Sequence, residues 1–191
     1  MSIFNNPLYF DSASTTATAP EVILKMMNML GMQSGLYANP SSIHKLGMAA
    51  GDVIAEAREQ VATILGCDSR EVIFTSGATE ANNIALLSVA QTYGHKKRHI
   101  ITSLTEHKSV LEPCKVLEQQ GFDVTYLKPD AIGRVDAHAV KQALRDNTLL
   151  VSLMYVNNET GVLQPIDEVA ALLSDVGVLF HVDASQAVGK F

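Results

Sequence analysis

The chain changes character near residue 71, where short apolar segments begin to alternate with stretches of helical periodicity. The apolar segments predict five buried strands, at residues 71–75, 99–103, 122–127, 149–156 and 178–182. Between them, apolar residues recur at helical spacing over 77–94, 107–120, 136–145 and 165–175. Strands separated by helices form right-handed crossovers. The pattern therefore predicts an α/β fold with a mainly parallel sheet and flanking helices.

The first 70 residues lack this alternation and predict an N-terminal helical arm. A polar turn precedes Pro20, which is placed to begin a helix, and the apolar residues of 21–32 follow at helical spacing. A longer amphipathic helix is predicted over about 49–65 and ends at Gly66. We therefore predict two regions, an arm with helices over 1–70 and part of an α/β domain over 71–191.

Composition and charge exclude several classes of function. The 191 residues carry a net charge of −6, which argues against a nucleic-acid-binding surface. No uncharged apolar stretch is long enough to span a membrane, and the N-terminus does not resemble a secretory signal. The two cysteines form no CxxC pair and the histidines show no metal-binding spacing. We expect a cytoplasmic protein with no metal site and no nucleic-acid or membrane partner.

Residues that could bind a ligand or take part in catalysis follow the predicted strands, and parallel sheets bind ligands at these strand ends. After the first strand, Thr75 to Thr79 lead straight into a helix, so free backbone N–H groups and hydroxyls form a candidate phosphate site. After the second, His107 begins a helix whose positive end favours a neutral ring. Each feature also suits an ordinary role, a capped turn for Thr75 to Thr79 and a capping or surface residue for His107.

The last two predicted strands end in amides and a carboxylate. Asn157 and Asn158 follow the fourth strand, and Asp183, with Gln186 three residues later, ends the fifth. Taken alone, the amides suit an Asn-rich turn and the acid suits a helix cap. Taken with the phosphate site and the histidine, they match the needs of pyridoxal phosphate (PLP), which requires a phosphate site, a stacking ring, a partner for its phenolic oxygen and a carboxylate for its pyridinium nitrogen.

Six motifs in order resemble cysteine desulfurases of the NifS/IscS class, members of the class V aminotransferase group with PLP fold type I. The motifs are FDSASTT, ANPSSIHKLG, EVIFTSGATEANN, TEHKSV, VNNETGVLQPI and HVDASQAVGK. The resemblance implies that Ala78 and Thr79 bind the phosphate and that Asp183 meets the pyridinium nitrogen. It also implies that His107 stacks on the ring and shuttles protons, and that Asn158 and Gln186 contact the phenolic oxygen.

The resemblance further implies an activity and partners. Cysteine desulfurases convert L-cysteine to L-alanine and leave a persulfide on an enzyme cysteine, whose sulfur passes to an acceptor protein for iron–sulfur cluster assembly or tRNA thiolation. Members of the family are homodimers of roughly twice this length. Their Schiff-base lysine and nucleophilic cysteine lie beyond the point that Lys190 matches, and Cys67 and Cys114 match no catalytic position.

We therefore expect a truncated chain, the N-terminal half of a desulfurase, which is inactive by itself. Two alternatives stay open at this point. The first is that the chain is a non-catalytic remnant or one half of a split protein. The second is that it belongs to another class V enzyme, such as a selenocysteine lyase.

Overall fold

The structure, a computed structural model, describes residues 8–190. These residues form six α-helices and four β-strands. Two compact units divide the chain, the first ending at Phe74 and the second beginning at Thr75. Residues 1–7 and 191 of the two predicted regions lie outside the described residues.

The N-terminal unit contains helices α1 (Pro20–Leu30) and α2 (Lys45–Leu65). Pro20 occupies the first helical position as predicted. Helix α2 begins four residues before its predicted start because the His44 ring caps it, accepting a hydrogen bond from the Gly47 N–H at 3.2 Å. At the other end Gly66 adopts a left-handed conformation, with φ of 68°, and stops the helix as predicted.

The predicted strand at 71–75 is wrong. A short 3₁₀ helix covers Ser69–Glu71, and none of the four described strands includes the residues that follow it. A strand requires a neighbouring strand to complete its hydrogen bonds, but the Val72 carbonyl accepts instead from the Arg58 guanidinium. The side chains of Ile73 and Phe74 are 71% and 50% exposed, so this apolar run lacks the packing that its pattern predicted.

The C-terminal unit confirms the other four predicted strands and the helices around them. Its elements in order are α3 (Ala78–Tyr93), β1 (His99–Ser103), α4 (Lys108–Gln119), β2 (Asp123–Leu127), α5 (Ala137–Ala143), β3 (Thr148–Met154), α6 (Ile166–Leu173) and β4 (Leu179–Asp183). The strands form a parallel sheet in the order β2-β1-β3-β4. Every residue of β1 and β3 is buried, because these two strands lie in the centre of the sheet.

The sheet lies between two layers of helices, each with its own apolar cluster. Successive strand residues point to opposite faces, so Ile100 packs with residues of α3 and α4 whereas Ile101 packs with residues of α5 and α6. The α4 crossover leads from β1 outward to β2, and the α6 crossover leads from β3 outward to β4 in the opposite direction. The carboxyl ends of β1 and β3 therefore flank a topological switch point, where open α/β sheets bind ligands.

Candidate cofactor site

The side chain of Asn157, beyond the end of β3, bridges the switch point. This buried side chain donates to the Thr105 carbonyl in the loop after β1, at 3.0 Å. Its Oδ1 accepts from the backbone N–H groups of Glu159 at 3.0 Å and Thr160 at 2.9 Å. Asn157 therefore fixes the two loops that border the crevice, and its own polar atoms are fully used in doing so.

Asp183 lies at the carboxyl end of β4, opposite Met154 of β3, and only 8% of it is exposed. Its Oδ1 accepts from the backbone N–H of Ser185 at 3.0 Å and also from the Ser185 hydroxyl. Its Oδ2 accepts from Nδ2 of Asn82, on helix α3, at 2.8 Å. Three neutral donors from two different elements therefore hold this carboxylate.

These donors decide the charge of Asp183. Burial by itself raises the pKa of the carboxyl, but the hydrogen bonds from Ser185 and Asn82 outweigh burial, so the pKa lies below its ordinary value. No lysine or arginine within residues 8–190 forms an ion pair with this carboxylate. Asp183 is therefore a buried anion whose hydrogen-bond donors are all neutral. Three donors leave its two oxygens able to accept about one more hydrogen bond. Such a carboxylate suits the protonated ring nitrogen of PLP.

His107 is the N-cap of helix α4, as the sequence predicted for the start of this helix. Its Nδ1 accepts from the backbone N–H of Ser109 at 3.1 Å and lies 2.8 Å from the Ser109 hydroxyl. That hydroxyl also accepts from Nδ2 of Asn82, at 2.8 Å. The structure thus joins two of the predicted site residues, Asp183 and His107, through two side chains that the sequence analysis did not single out.

The predicted phosphate site lies at the start of α3. Gly77 is its N-cap, no side chain caps the helix, and both Ala78 and Thr79 are exposed. The two hydroxyls before the helix have partners within the turn, since Thr75 donates to the Gly77 carbonyl at 3.1 Å and Ser76 to a Glu80 carboxylate oxygen at 2.7 Å. The groups left for an anion are the first backbone N–H groups of the helix and the Thr79 hydroxyl.

The two predicted partners of the phenolic oxygen have different neighbours. Asn158 donates to the Glu159 carboxylate at 2.9 Å, and Gln186 accepts from the Lys190 ammonium at 3.0 Å. Both residues are half-buried, in the turns that follow β3 and β4. Neither contact extends the hydrogen-bonded path that runs from Asp183 to His107.

A pocket of about 310 Å³ opens between α3 and α4. Thr79 and His107 line it, together with apolar side chains such as Leu87 and Val116, but Asp183 does not. The pocket therefore lies on the helical side of the unit rather than in the crevice at the sheet edge.

Glu106, next to His107, is a buried acid that the sequence analysis missed. Its Oε1 accepts from the Met154 backbone N–H at 2.8 Å, but its Oε2 has no hydrogen-bond partner. Burial, together with the negative charge of Asp183, raises its pKa to about 8. The carboxyl group is therefore largely protonated near neutral pH.

The missed residues Asn82 and Ser109 do leave a trace in the sequence. Asn82 occupies the same buried stripe of α3 as Leu86 and Ala90, and Ser109 shares a buried stripe of α4 with Pro113. A polar residue on an apolar stripe requires a hydrogen-bond partner, which the structure supplies. Within the described part of the chain, no cluster of histidine, cysteine and acidic residues could hold a metal ion, and no helix is long and apolar enough to cross a membrane.

Comparison with known proteins supports the resemblance that the motifs indicated. The cysteine desulfurase IscS of Shewanella amazonensis is 49% identical over 185 residues, which cover 96% of this chain and 46% of that protein. The IscS of Proteus mirabilis has the same identity and coverage. The chain therefore spans about half the length of the curated relatives that it matches.

Solved structures agree in fold. A NifS-like protein superimposes with a TM-score of 0.91 at 39% identity, covering 96% of this chain and 50% of that one. A structure described as SspA in complex with cysteine superimposes with a TM-score of 0.88 at 42% identity, covering 94% and 51%. These matches confirm the predicted α/β fold and its likeness to the NifS group. Since the family described as aminotransferase class V matches residues 8–191, the chain belongs to that family.

Proposed function

We propose that these residues form the N-terminal, PLP-binding half of a cytoplasmic cysteine desulfurase. The observation that carries the proposal is Asp183, a buried carboxylate held by neutral donors at the end of β4. PLP, when bound, supplies an electron sink for the chemistry of an amino acid. The substrate would be L-cysteine, and one structural neighbour is described as a complex with cysteine.

Each chain residue then has a defined task. Asp183 would accept a hydrogen bond from the protonated ring nitrogen and, because the carboxylate stays ionised, favour the protonated form of that nitrogen. The first N–H groups of α3 and the Thr79 hydroxyl bind the phosphate, with Ala78 contributing its backbone. Asn158 and Gln186 orient the phenolic oxygen by hydrogen bonds. The reaction releases L-alanine and leaves a persulfide on an enzyme cysteine, from which an acceptor protein takes the sulfur.

His107 has two tasks at the site. Its exposed ring at the start of α4 provides a flat surface on which the cofactor ring stacks. As a histidine, it also moves a proton between its ring nitrogen and the reacting amino acid. The homodimer and the role in iron–sulfur cluster assembly or tRNA thiolation enter this proposal through the resemblance to the NifS/IscS class.

The test uses a chimera in which residues 1–191 are followed by the part of the Shewanella amazonensis enzyme that this chain does not match. We expect the chimera to bind PLP and to release alanine from L-cysteine. Asp183→Asn keeps the size of the side chain but removes its charge, so it should weaken PLP binding and lower alanine release about tenfold or more. Asp146→Asn, an exposed acid in the loop before β3, is the matched control and should change neither.

Three results bear against the proposal. A folded chimera that binds no PLP removes the cofactor assignment. An Asp183→Asn variant with unchanged absorbance and turnover returns Asp183 to a capping role. Release of selenide from selenocysteine without alanine from cysteine favours a selenocysteine lyase over a desulfurase.

A further inference from the structure

Asp183 and His107 are joined by hydrogen bonds through Asn82 and Ser109. Which atom donates and which accepts in each of these bonds follows from the chemistry of the groups. An ionised carboxylate only accepts hydrogen bonds, so the Asn82 atom that faces Asp183 at 2.8 Å is the amide nitrogen and not the oxygen. The second proton of that nitrogen points to the Ser109 hydroxyl oxygen, also at 2.8 Å. Rotating the amide by half a turn would place two acceptors against each other, so the Asn82 side chain has one allowed orientation.

The direction continues through Ser109. Its hydroxyl oxygen accepts from Asn82, and its single proton is free to be donated to Nδ1 of His107, 2.8 Å away. The Ser109 backbone N–H, which can only donate, lies 3.1 Å from the same ring nitrogen. An Nδ1 that receives these donors has no room for a proton of its own, so the neutral ring carries its proton on Nε2.

We propose that Asn82 and Ser109 are positioning residues that join Asp183 to His107 in one directional chain and hold His107 in the tautomer with its proton on Nε2. The proposal rests on the proposed function, since it assigns supporting residues to two members of that site. Asn82 fixes the rotation of the Asp183 carboxylate from α3, while Ser185 fixes it from the turn after β4. Ser109 fixes the His107 ring, so that it presents an N–H donor at its exposed edge.

Both positioning residues are buried, Asn82 at 4% and Ser109 at 5% exposure. Their contacts connect segments 101 and 27 residues apart in sequence. The path therefore depends on the packing of α3 against α4 and β4 rather than on a local turn. Because the cofactor-free chain already contains it, the proposal can be tested without PLP.

The first measurement is the tautomer of His107 in the isotope-labelled 191-residue chain, read from its two ring nitrogen signals at alkaline pH. His107→Gln assigns the signals among the six histidines. We expect the proton on Nε2. Ser109→Ala removes the hydroxyl donor but leaves the backbone N–H, so it should raise the ratio of the Nδ1–H to the Nε2–H tautomer about fivefold. Ser109→Thr keeps the hydroxyl and should restore the original ratio.

The second measurement is the titration of the Asp183 carboxyl carbon. Asn82→Leu removes a donor to the ionised form, so the pKa of Asp183 should rise toward its ordinary value. Glu106 and His181 are the titratable neighbours of Asp183 and are followed in the same spectra. Asn83→Leu is the matched control, because Asn83 bonds to the Thr79 carbonyl instead and should leave Asp183 unchanged.

The outcomes separate cleanly. A proton on Nδ1 in the unmodified chain overturns the proposal, whatever the variants do. So does an unchanged tautomer ratio in a folded Ser109→Ala chain, or an Asn82→Leu titration equal to that of Asn83→Leu. If Asn82→Leu fails to fold, Asn82→Ser provides the same comparison. Failure of the chimera to bind PLP would refute the proposed function while leaving these results intact.

Discussion

The two units of this chain use apolar residues at helical spacing in different ways. Among residues 8–74 of the N-terminal unit the buried apolar residues are Ala50, Ala62 and Val72, and α1 has no buried residue. The C-terminal unit buries two separate clusters, one on each face of its sheet. Apolar periodicity therefore predicts a helix in both units, but only the sheet gives helices a surface large enough to form a core.

Hydrogen exchange should show the largest difference between the units. Amides of β1 and β3 lie in the centre of the sheet and should exchange only when the whole unit unfolds. Amides of α1, whose residues are not buried, should exchange at least about a hundredfold faster. Mass spectrometry of peptides from the intact chain measures both. Equal protection of α1 and β3 would show that the two units share one cooperative core.

A matched pair of leucines tests the same comparison by stability. Leu153 in β3 is completely buried, so Leu153→Ala should lower the free energy of unfolding by about 2–5 kcal/mol. Leu30 at the end of α1 is 79% exposed, so Leu30→Ala should change the free energy of unfolding by less than about 0.5 kcal/mol. Urea unfolding followed by circular dichroism gives both values. A larger effect at Leu30 than at Leu153 would reverse the assignment of the core.

The same contrast explains what could be predicted from the sequence. Strands β1 to β4 follow from apolar runs because each run meets a neighbouring strand, whereas the run at 71–75 has the same appearance but no such neighbour in the described part of the chain. The motifs located Asp183 and His107 because Asp183 ends a strand and His107 caps the start of a helix. They could not reveal that Asn82 touches Asp183, because that contact joins positions 101 residues apart and depends on how α3 packs.

Glu106 allows a test within the C-terminal unit. Folding raises its pKa from 4.5 to about 8, so the folded state holds a proton that the unfolded state releases between these values. The Glu106 contribution to stability should therefore be fully present below about pH 4.5, fall as pH rises between about 4.5 and 8, and be lost above 8. The lowered pKa values of His99 and His181 act in the opposite direction up to about pH 6.5, so the Glu106 contribution is read from the difference between the unmodified chain and the variant. Glu106→Gln keeps the shape and removes the ionisation, so it should flatten this fall and stabilise the chain most at alkaline pH.

The control for this prediction is Glu118→Gln, an exposed acid on α4 that bonds to Tyr126. It should leave the pH dependence of stability between 4.5 and 8 as it is in the unmodified chain, because the Glu106 contribution is still present. Unfolding in urea at a series of pH values measures all three chains. A Glu106→Gln chain whose stability declines with pH as steeply as the unmodified chain would mean that another group causes the decline.

Helix caps provide the smallest effect and bring the two units back into direct comparison. Asp136 caps α5 in the C-terminal unit, where its Oδ1 accepts from the His138 N–H at 2.8 Å. Asp136→Ala should lower the free energy of unfolding by about 1 kcal/mol, while Asp136→Asn retains most of the cap. An Asn variant as unstable as the Ala variant would show that the charge, and not the hydrogen bond, stabilises the helix.

Asp68 performs the corresponding task in the N-terminal unit. The Asp68 side chain accepts from the Arg70 backbone N–H at 2.9 Å. The Glu71 side chain accepts from the Asp68 backbone N–H at 2.8 Å, which completes a capping box. All these contacts lie within four consecutive residues of the same unit, so Asp68→Ala should speed hydrogen exchange in that turn and leave the exchange of β1 and β3 unchanged. Asp136→Ala should speed the exchange of β1 and β3 and leave the turn at Asp68 unchanged, because α5 packs in the cluster that includes residues of both strands. Faster exchange in β3 after Asp68→Ala would mean that this cap stabilises the core of the C-terminal unit as well as its own turn.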